Sequence, residues 1–200
     1  MDQDRILQHF RDTDALLDGH FVLSSGLHSP SYLQCARALQ YPYDASNYGH
    51  SIAAAAVEDM TKKGIEPQHI KTVVSPAIGG LVIGYEVAKA LNVRFIWTER
   101  KEGVMSLRRG FKISKGEKMF VVEDVITTGG SVRECIEVLE ENGADVLAGA
   151  SIIDRSGGKT DIGVPRISLV ELDVPSYDPA DCPLCTQNIP AVKPGSREKV

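Results

Sequence analysis

Apolar residues follow two different rhythms along the chain. Near the start, Ile6, Leu7, Phe10, Leu16 and Leu17 recur at helical spacing and predict an amphipathic helix over 4–18. A turn-rich stretch over 19–34 follows, with Ser24-Ser25-Gly26 and Ser29-Pro30-Ser31. Alternation around Phe21-Val22-Leu23 and Tyr32-Leu33-Gln34 predicts a short antiparallel pair inside it. The alanine-rich segment 44–63, with Ile52 and Val57, predicts a helix capped by Asp44 and stopped by Gly64. Beyond residue 70 the rhythm changes. Short apolar runs at 70–75, 93–98, 118–123 and 146–154 predict strands, and 79–91 and 131–142 predict helices. This alternation predicts an α/β fold with a central, mostly parallel sheet buried between helices. Residues 175–200 read as a proline-rich, irregular tail.

Composition narrows the partners. A chain of 200 residues with 42% hydrophobic content supports one packed domain over 1–200. Its 22 basic and 27 acidic residues give a net charge of −5, and aromatic residues are 6%. That balance argues against nucleic acid, which needs a positive footprint or a stacking platform. An anionic ligand must be held by a local site. There is no run of 18 apolar residues, so no membrane span is expected, and the polar segment Met1–Arg11 does not read as a signal peptide. Four irregularly placed cysteines are not a secreted disulfide framework, and the expected location is the cytoplasm. Cys182-Pro183-Leu184-Cys185 has the spacing of half a zinc site, but zinc normally takes two more ligands. No second CxxC or HxxxH is present, and His9, His20, His28, His50 and His69 lie far away in sequence. A structural or incidental role, a structural zinc at Cys182 and Cys185, and a redox pair all stay open.

In parallel sheets, ligands bind beyond the carboxyl ends of the strands. That rule selects three strand exits. In Met119-Phe120-Val121-Val122-Glu123-Asp124-Val125-Ile126-Thr127-Thr128-Gly129-Gly130-Ser131, an apolar strand ends in two carboxylates, then a Thr/Gly loop opens a helix. Glycine lets backbone N–H groups approach a phosphate, the hydroxyls add donors, and the helix N-terminus favours an anion. Glu123 and Asp124 suit sugar hydroxyls, or a second shell for a divalent cation. Ser131 with Glu134 fits a capping box. There is no GxxxxGK[ST], which rules against a nucleoside-triphosphate P-loop. Ser75-Pro76-Ala77-Ile78-Gly79-Gly80 is a second strand-to-helix turn with the same anion logic. The third exit, Thr98 to Phe111, carries Arg100, Lys101, Arg108 and Arg109. It reads as a mobile lid closing on a pyrophosphate or as a solvated hairpin.

Residues 119–131 resemble the ribose-5-phosphate fingerprint of type I phosphoribosyltransferases. Behind it, 75–80 looks like that family's pyrophosphate loop, and Arg100-Lys101 like the catalytic loop of orotate phosphoribosyltransferases. Gly19 to Leu33, with Leu23-x-Ser25-Gly26-x-x-Ser29-Pro30 and then Tyr32, resembles their hood, over about residues 1–40. Several positions depart from the family pattern. Ser24 and Gly79 stand where many members carry Lys, and Met105 and Ser106 where the lid usually has Lys and His. The resemblance, over roughly 15–160, implies the type I phosphoribosyltransferase fold with a small N-terminal hood and a flexible catalytic loop. It implies transfer of ribose 5-phosphate from 5-phosphoribosyl 1-diphosphate to orotate in pyrimidine biosynthesis, giving orotidine 5′-monophosphate and pyrophosphate. It assigns catalysis to Arg100, Lys101 and Asp124. Substrate phosphates and ribose fall to Glu123, Asp124, Val125, Ile126, Thr127, Thr128, Gly129, Gly130 and Ser131. Ala77, Ile78, Gly79, Gly80, Arg100 and Lys101 join them, with Arg108 and Arg109 as replacements for the missing lid cations. Orotate falls to Thr127, Arg155 and Tyr32. The cofactor implied is Mg2+, held mainly through the diphosphate substrate with no direct protein ligand. The implied assembly is a homodimer sharing the lid. A phosphoribosyltransferase for another base, and a non-catalytic regulator binding the same diphosphate, are the alternatives.

Overall fold

The structure is a computed structural model that describes residues 2–23 and 25–194. Ser24 of the hood motif and the last six residues of the tail lie outside these.

A six-stranded sheet forms the centre. Its strands are β3 (Thr72–Pro76), β4 (Arg94–Lys101), β5 (Val104–Leu107), β6 (Lys118–Ile126), β7 (Asp145–Asp154) and β8 (Arg166–Glu171). Their order is β5-β4-β3-β6-β7-β8, and only β5 runs antiparallel. Helices α1 (Gln3–Asp12), α2 (Cys35–Leu39), α3 (Pro42–Lys62) and α4 (Gly80–Leu91) share one core, with Ile6, Phe10, Ile52 and Ile83 against Phe120 and Val122. On the other core, α5 (Gly130–Glu141) packs Val132, Ile136 and Leu139 against Val121 and Ile96. Both faces of β6 are therefore covered, which is why its sequence is a continuous apolar run. A separate antiparallel hairpin, β1 (Leu16–Val22) with β2 (His28–Leu33), forms the hood. A one-turn helix, α6 (Pro183–Thr186), lies in the tail. Among the described residues, no helix is long and apolar enough to cross a membrane.

Several local expectations are corrected. The first helix stops at Asp12, because Asp14 takes a left-handed φ of 51° that no helix continues. Leu16 and Leu17 are instead the start of β1, with Leu16 opposite Leu33 and Phe21 opposite Ser29. Asp44 is not the cap of α3. Pro42 occupies its first turn behind Tyr41, as suits a residue with fixed φ and no N–H to satisfy. Gly64 does end that helix, at φ 71°. Ser131 and Glu134 form no capping box, since α5 starts at Gly130 behind a left-handed Gly129 and Glu134 pairs with Arg100 instead. Helix α2 and strands β5 and β8 add to the elements read from sequence.

Candidate active site

Chain order reverses between β3 and β6, so the loops leaving these two strands splay apart and open a crevice at their carboxyl ends. The two glycine-bearing loops meet there. A Cβ on Gly79 would stand 2.9 Å from Oδ1 of Asp124, and one on Gly80 2.9 Å from Oε1 of Glu123. The peptide bond between Ala77 and Ile78 is cis, and the Ile78 side chain projects into solvent. The structure thus brings Ala77–Gly80 against the acidic pair.

Glu123 and Asp124 sit at the end of β6. Glu123 Oε1 accepts from the backbone N–H of Asp124 at 3.1 Å, and Asp124 Oδ1 from that of Val125 at 2.8 Å. Burial pushes the Glu123 carboxyl well above its ordinary range, and the negative charge of Asp124 adds to it. Burial also raises Asp124. Beneath them Cys35 is buried, its thiol pushed up by burial and then by the charges of Asp124 and Glu123. Sequence reading passed over Cys35, because a lone cysteine on a short helix carries no signal.

Beyond the acids, Val125, Ile126, Thr127, Thr128, Gly129, Gly130 and Ser131 line a small cavity of about 80 Å³ together with Glu123. Gly129, at φ 72°, turns the chain into α5, and a Cβ there would meet the Thr160 methyl at 2.6 Å. The first N–H groups of α5 have no intrahelical partner, so this hollow suits a tetrahedral anion. Thr160 Oγ1 donates to the Thr127 carbonyl at 2.9 Å and braces the loop.

A larger cavity of about 660 Å³ adjoins it, lined by Val125, Thr127, Thr128 and Arg155, by Tyr32 and its hood neighbours, and by Asp173–Ser176 of the tail. All three residues expected to hold the base therefore face one space. Arg155 is 9% exposed and its Nη2 donates to Ser29 Oγ at 2.5 Å. Its Nε is buried without a partner, and no acidic side chain pairs with it among the described residues. Burial lowers its pKa. The neighbouring Asp154 is committed elsewhere, accepting from Ser156 and bound to Arg166 Nε at 2.9 Å. The tail wall and the bond from Arg155 to Ser29, a residue of the hood motif, were absent from the sequence reading, because they arise only through tertiary contact.

The cationic segment is a β-hairpin. Glu102 and Gly103, both at positive φ, make a two-residue turn between β4 and β5. Arg100 bonds Glu134 at 2.7 Å, and Arg109 grips Glu99 with two bonds of 2.9 Å while Arg108 approaches it at 3.1 Å. Arg100, Lys101, Arg108 and Arg109 line neither cavity.

A sequence profile of the phosphoribosyl transferase domain matches residues 45–173. An orotate phosphoribosyltransferase of Caldicellulosiruptor bescii is 51% identical over the whole of both chains. One from Thermotoga maritima is 54% identical over 92% of this chain and 94% of its own. Among solved structures, the orotate phosphoribosyltransferase from Aeropyrum pernix superposes with a TM-score of 0.69 at 26% identity, covering 84% of this chain and 93% of that one. With the fingerprint loop, the acidic pair and the switch-point crevice in place, the chain belongs to the orotate phosphoribosyltransferase family.

Proposed function

We propose that this chain transfers ribose 5-phosphate from 5-phosphoribosyl 1-diphosphate to N1 of orotate, releasing pyrophosphate and forming orotidine 5′-monophosphate. The observation that carries the choice of base is Arg155. A buried guanidinium with no acidic partner among the described residues, in a cavity beside the phosphate hollow, calls for a carboxylate, and orotate has one where uracil and the purines do not. In this reading the 5′-phosphate occupies the Thr127–Ser131 hollow. Glu123 and Asp124 accept hydrogen bonds from the ribose hydroxyls, and 75–80 receives the pyrophosphate. Tyr32 and Thr127 border the ring while Arg155 grips its carboxylate.

The bond between ribose C1 and the diphosphate weakens before orotate attacks, so positive charge grows on the ribose while negative charge collects on the leaving group. The chain supplies no covalent nucleophile at this point. It contributes positioning and water exclusion, and the Glu123 and Asp124 carboxyls lie beside the developing positive charge. Arg100 and Lys101 meet the leaving pyrophosphate when the hairpin closes, Arg108 and Arg109 reinforcing them. Mg2+ fits this site: the acidic pair is an oxygen-only donor set, and burial, with the Asp124 charge adding at Glu123, raises a cost of ionisation that a nearby hard cation would offset. When bound, the ion neutralises charge on the diphosphate; Glu123 and Asp124 would hold it indirectly, through ribose hydroxyls or water.

The lid cations line neither cavity of their own chain, which supports a homodimer with the hairpin shared between subunits. Further support comes from a shallow apolar groove of about 750 Å³ between α4 and β4, where Val82 and Tyr85 are exposed beside Phe95 and Trp97. Its volume exceeds that of the base cavity, yet it holds none of the chemistry-bearing residues and reads as a surface for a second copy. The deciding assay is loss of orotate absorbance on adding 5-phosphoribosyl 1-diphosphate and Mg2+. Turnover of adenine, hypoxanthine or uracil with none of orotate would overturn the proposal.

A further inference from the structure

The proline-rich tail returns to the hood and is fastened there by backbone pairing. His28 and Tyr177 exchange two hydrogen bonds of 2.8 Å, the Val192 N–H donates to the His20 carbonyl at 2.8 Å, and the Val22 N–H donates to the Val192 carbonyl at 2.8 Å. Between these two fastenings lies a group that lines neither the base cavity nor the phosphate hollow. His20 Nε2, His28 Nδ1, Cys182 Sγ and Cys185 Sγ all lie within 4.8 Å of one another. Cys182 Sγ is 3.6 Å and Cys185 Sγ 3.9 Å from His20 Nε2, and Cys185 Sγ is 3.3 Å from His28 Nδ1. Around a tetrahedral zinc, with bonds of roughly 2.3 Å to sulfur and 2.0–2.1 Å to nitrogen, neighbouring ligand atoms stand about 3.3–3.8 Å apart. The sulfur contacts bracket that range. The two ring nitrogens, 2.8 Å apart, need to open by only about half an ångström to meet it.

The surroundings favour a metal over a plain hydrogen-bonded knot. His20 Nδ1 bonds the Ile189 carbonyl at 2.7 Å, and only a protonated nitrogen can donate there. That fixes the tautomer and turns the lone pair of Nε2 into the cluster, as backbone carbonyls do for metal-binding imidazoles. His20 is 3% and Cys182 1% exposed, and all the chain's cysteines are free thiols. Two sulfurs and two imidazole nitrogens at tetrahedral spacing select zinc over magnesium or calcium.

We propose that His20, His28, Cys182 and Cys185 bind one zinc ion that staples the tail to the hood. Both thiols bind as thiolates and release their protons to solvent. None of the four residues lines the base cavity or the phosphate hollow, so the ion is structural. Its influence reaches the site through the strap it anchors, since Asp173–Ser176 wall the base cavity and Ser29, next to His28, bonds both Arg155 and the Pro175 carbonyl. The test is metal content of the full chain, expressed without a histidine tag and purified under reducing conditions. About one zinc per chain is expected. The Cys185→Ser variant, altered at an exposed position that leaves the core intact, should hold less than about a tenth of that at the same concentration. Cobalt(II) added to the stripped protein should give the strong visible bands of a tetrahedral thiolate site, displaced by zinc. Retention of zinc in Cys185→Ser would overturn the proposal. So would a chain purified without zinc that gives no cobalt bands, or a Cys182–Cys185 disulfide persisting under the reducing purification. These readouts do not depend on turnover, so they stand or fall separately from the assignment of the base.

Discussion

Replacing Arg155 by Met separates a binding role from a structural one, because the two roles predict opposite signs. The guanidinium is nearly buried, has an orphaned Nε, and has no acidic partner among the described residues. A buried charge left unpaired costs several kcal/mol, while the single charged hydrogen bond to Ser29 returns about 1.5–3 kcal/mol. Arg155→Met removes both terms, and Ser29 keeps its bond to the Pro175 carbonyl. The free variant should therefore melt at the wild-type temperature or above it. Ligand binding should move the other way. Truncating one side of a buried charge pair costs about 2–5 kcal/mol, roughly 30- to 5,000-fold in affinity. Calorimetric titration with orotidine 5′-monophosphate and with uridine 5′-monophosphate isolates this term. The two nucleotides share the ribose and phosphate and differ by the carboxylate alone. Wild type should favour the carboxylated nucleotide, and Arg155→Met should erase that preference while binding the other nucleotide unchanged. An unaltered preference, or a large fall in melting temperature with both affinities weakened alike, would refute the reasoning and make Arg155 a scaffold residue.

The acidic pair gives a pH-dependent prediction. Because burial and Asp124 hold the Glu123 carboxyl above its ordinary 4.5, ionising it costs the folded state stability as pH rises through 4.5 toward the raised value. Glu123→Gln should therefore match wild type in melting temperature below about pH 4 and exceed it at neutral pH, with much reduced turnover; a difference flat across pH would contradict this. Gly79→Ala puts a methyl 2.9 Å from Asp124 Oδ1, and kcat/KM for 5-phosphoribosyl 1-diphosphate should fall about 10- to 100-fold at nearly constant stability. In initial-rate kinetics, Arg100→Ala and Lys101→Ala should each lower kcat about 10²- to 10³-fold, and near-normal kcat in both would remove the hairpin from the mechanism. In the proposed homodimer, Tyr85→Asp, at an exposed position of the apolar groove, should shift sedimentation from dimer toward monomer, and an unchanged profile would place the interface elsewhere.

What could be read from the sequence was whatever the local pattern determines. β6 is covered on both faces, so 119–122 is a solid apolar run, and its exit carries the acids and glycines that the site needs. Strand β8 escaped because it is a short edge strand in which Arg166, Ser168 and Glu171 interrupt Ile167 and Leu169-Val170, leaving no long apolar run. Leu16 and Leu17 misled because helical spacing continues in the letters past Asp14, where the backbone has already turned. The capping-box reading of Ser131 and Glu134 failed for another reason. Gly129 provides the turn into α5, which frees Glu134 to hold Arg100. The histidines facing Cys182 and Cys185 were beyond reach: His20 and Cys182 stand 162 positions apart, and only the return of the tail over the hood joins them.

A net charge of −5 and a strongly anionic pair of substrates are compatible because of where the cations lie. The phosphate hollow uses neutral N–H groups and hydroxyls, which attract an anion without adding to the chain's charge. Arg155 is the opposite case, a full charge kept unpaired at the base cavity. The hairpin cations occupy a middle position. Arg100, Arg108 and Arg109 are held by Glu134 and Glu99, and the Arg109 bond is the chief cause of the lowered Glu99 pKa. These pairs are exposed to solvent, where ion pairs are weak and salt screens them further. A multiply charged pyrophosphate can therefore draw the arginines away from their carboxylates at small cost. The β4–β5 ladder holds the hairpin folded, and without that ligand the carboxylates offset the charge of its arginines. In the proposed mechanism, closure would be tied to the diphosphate itself, a ligand with enough charge to replace both glutamates at once.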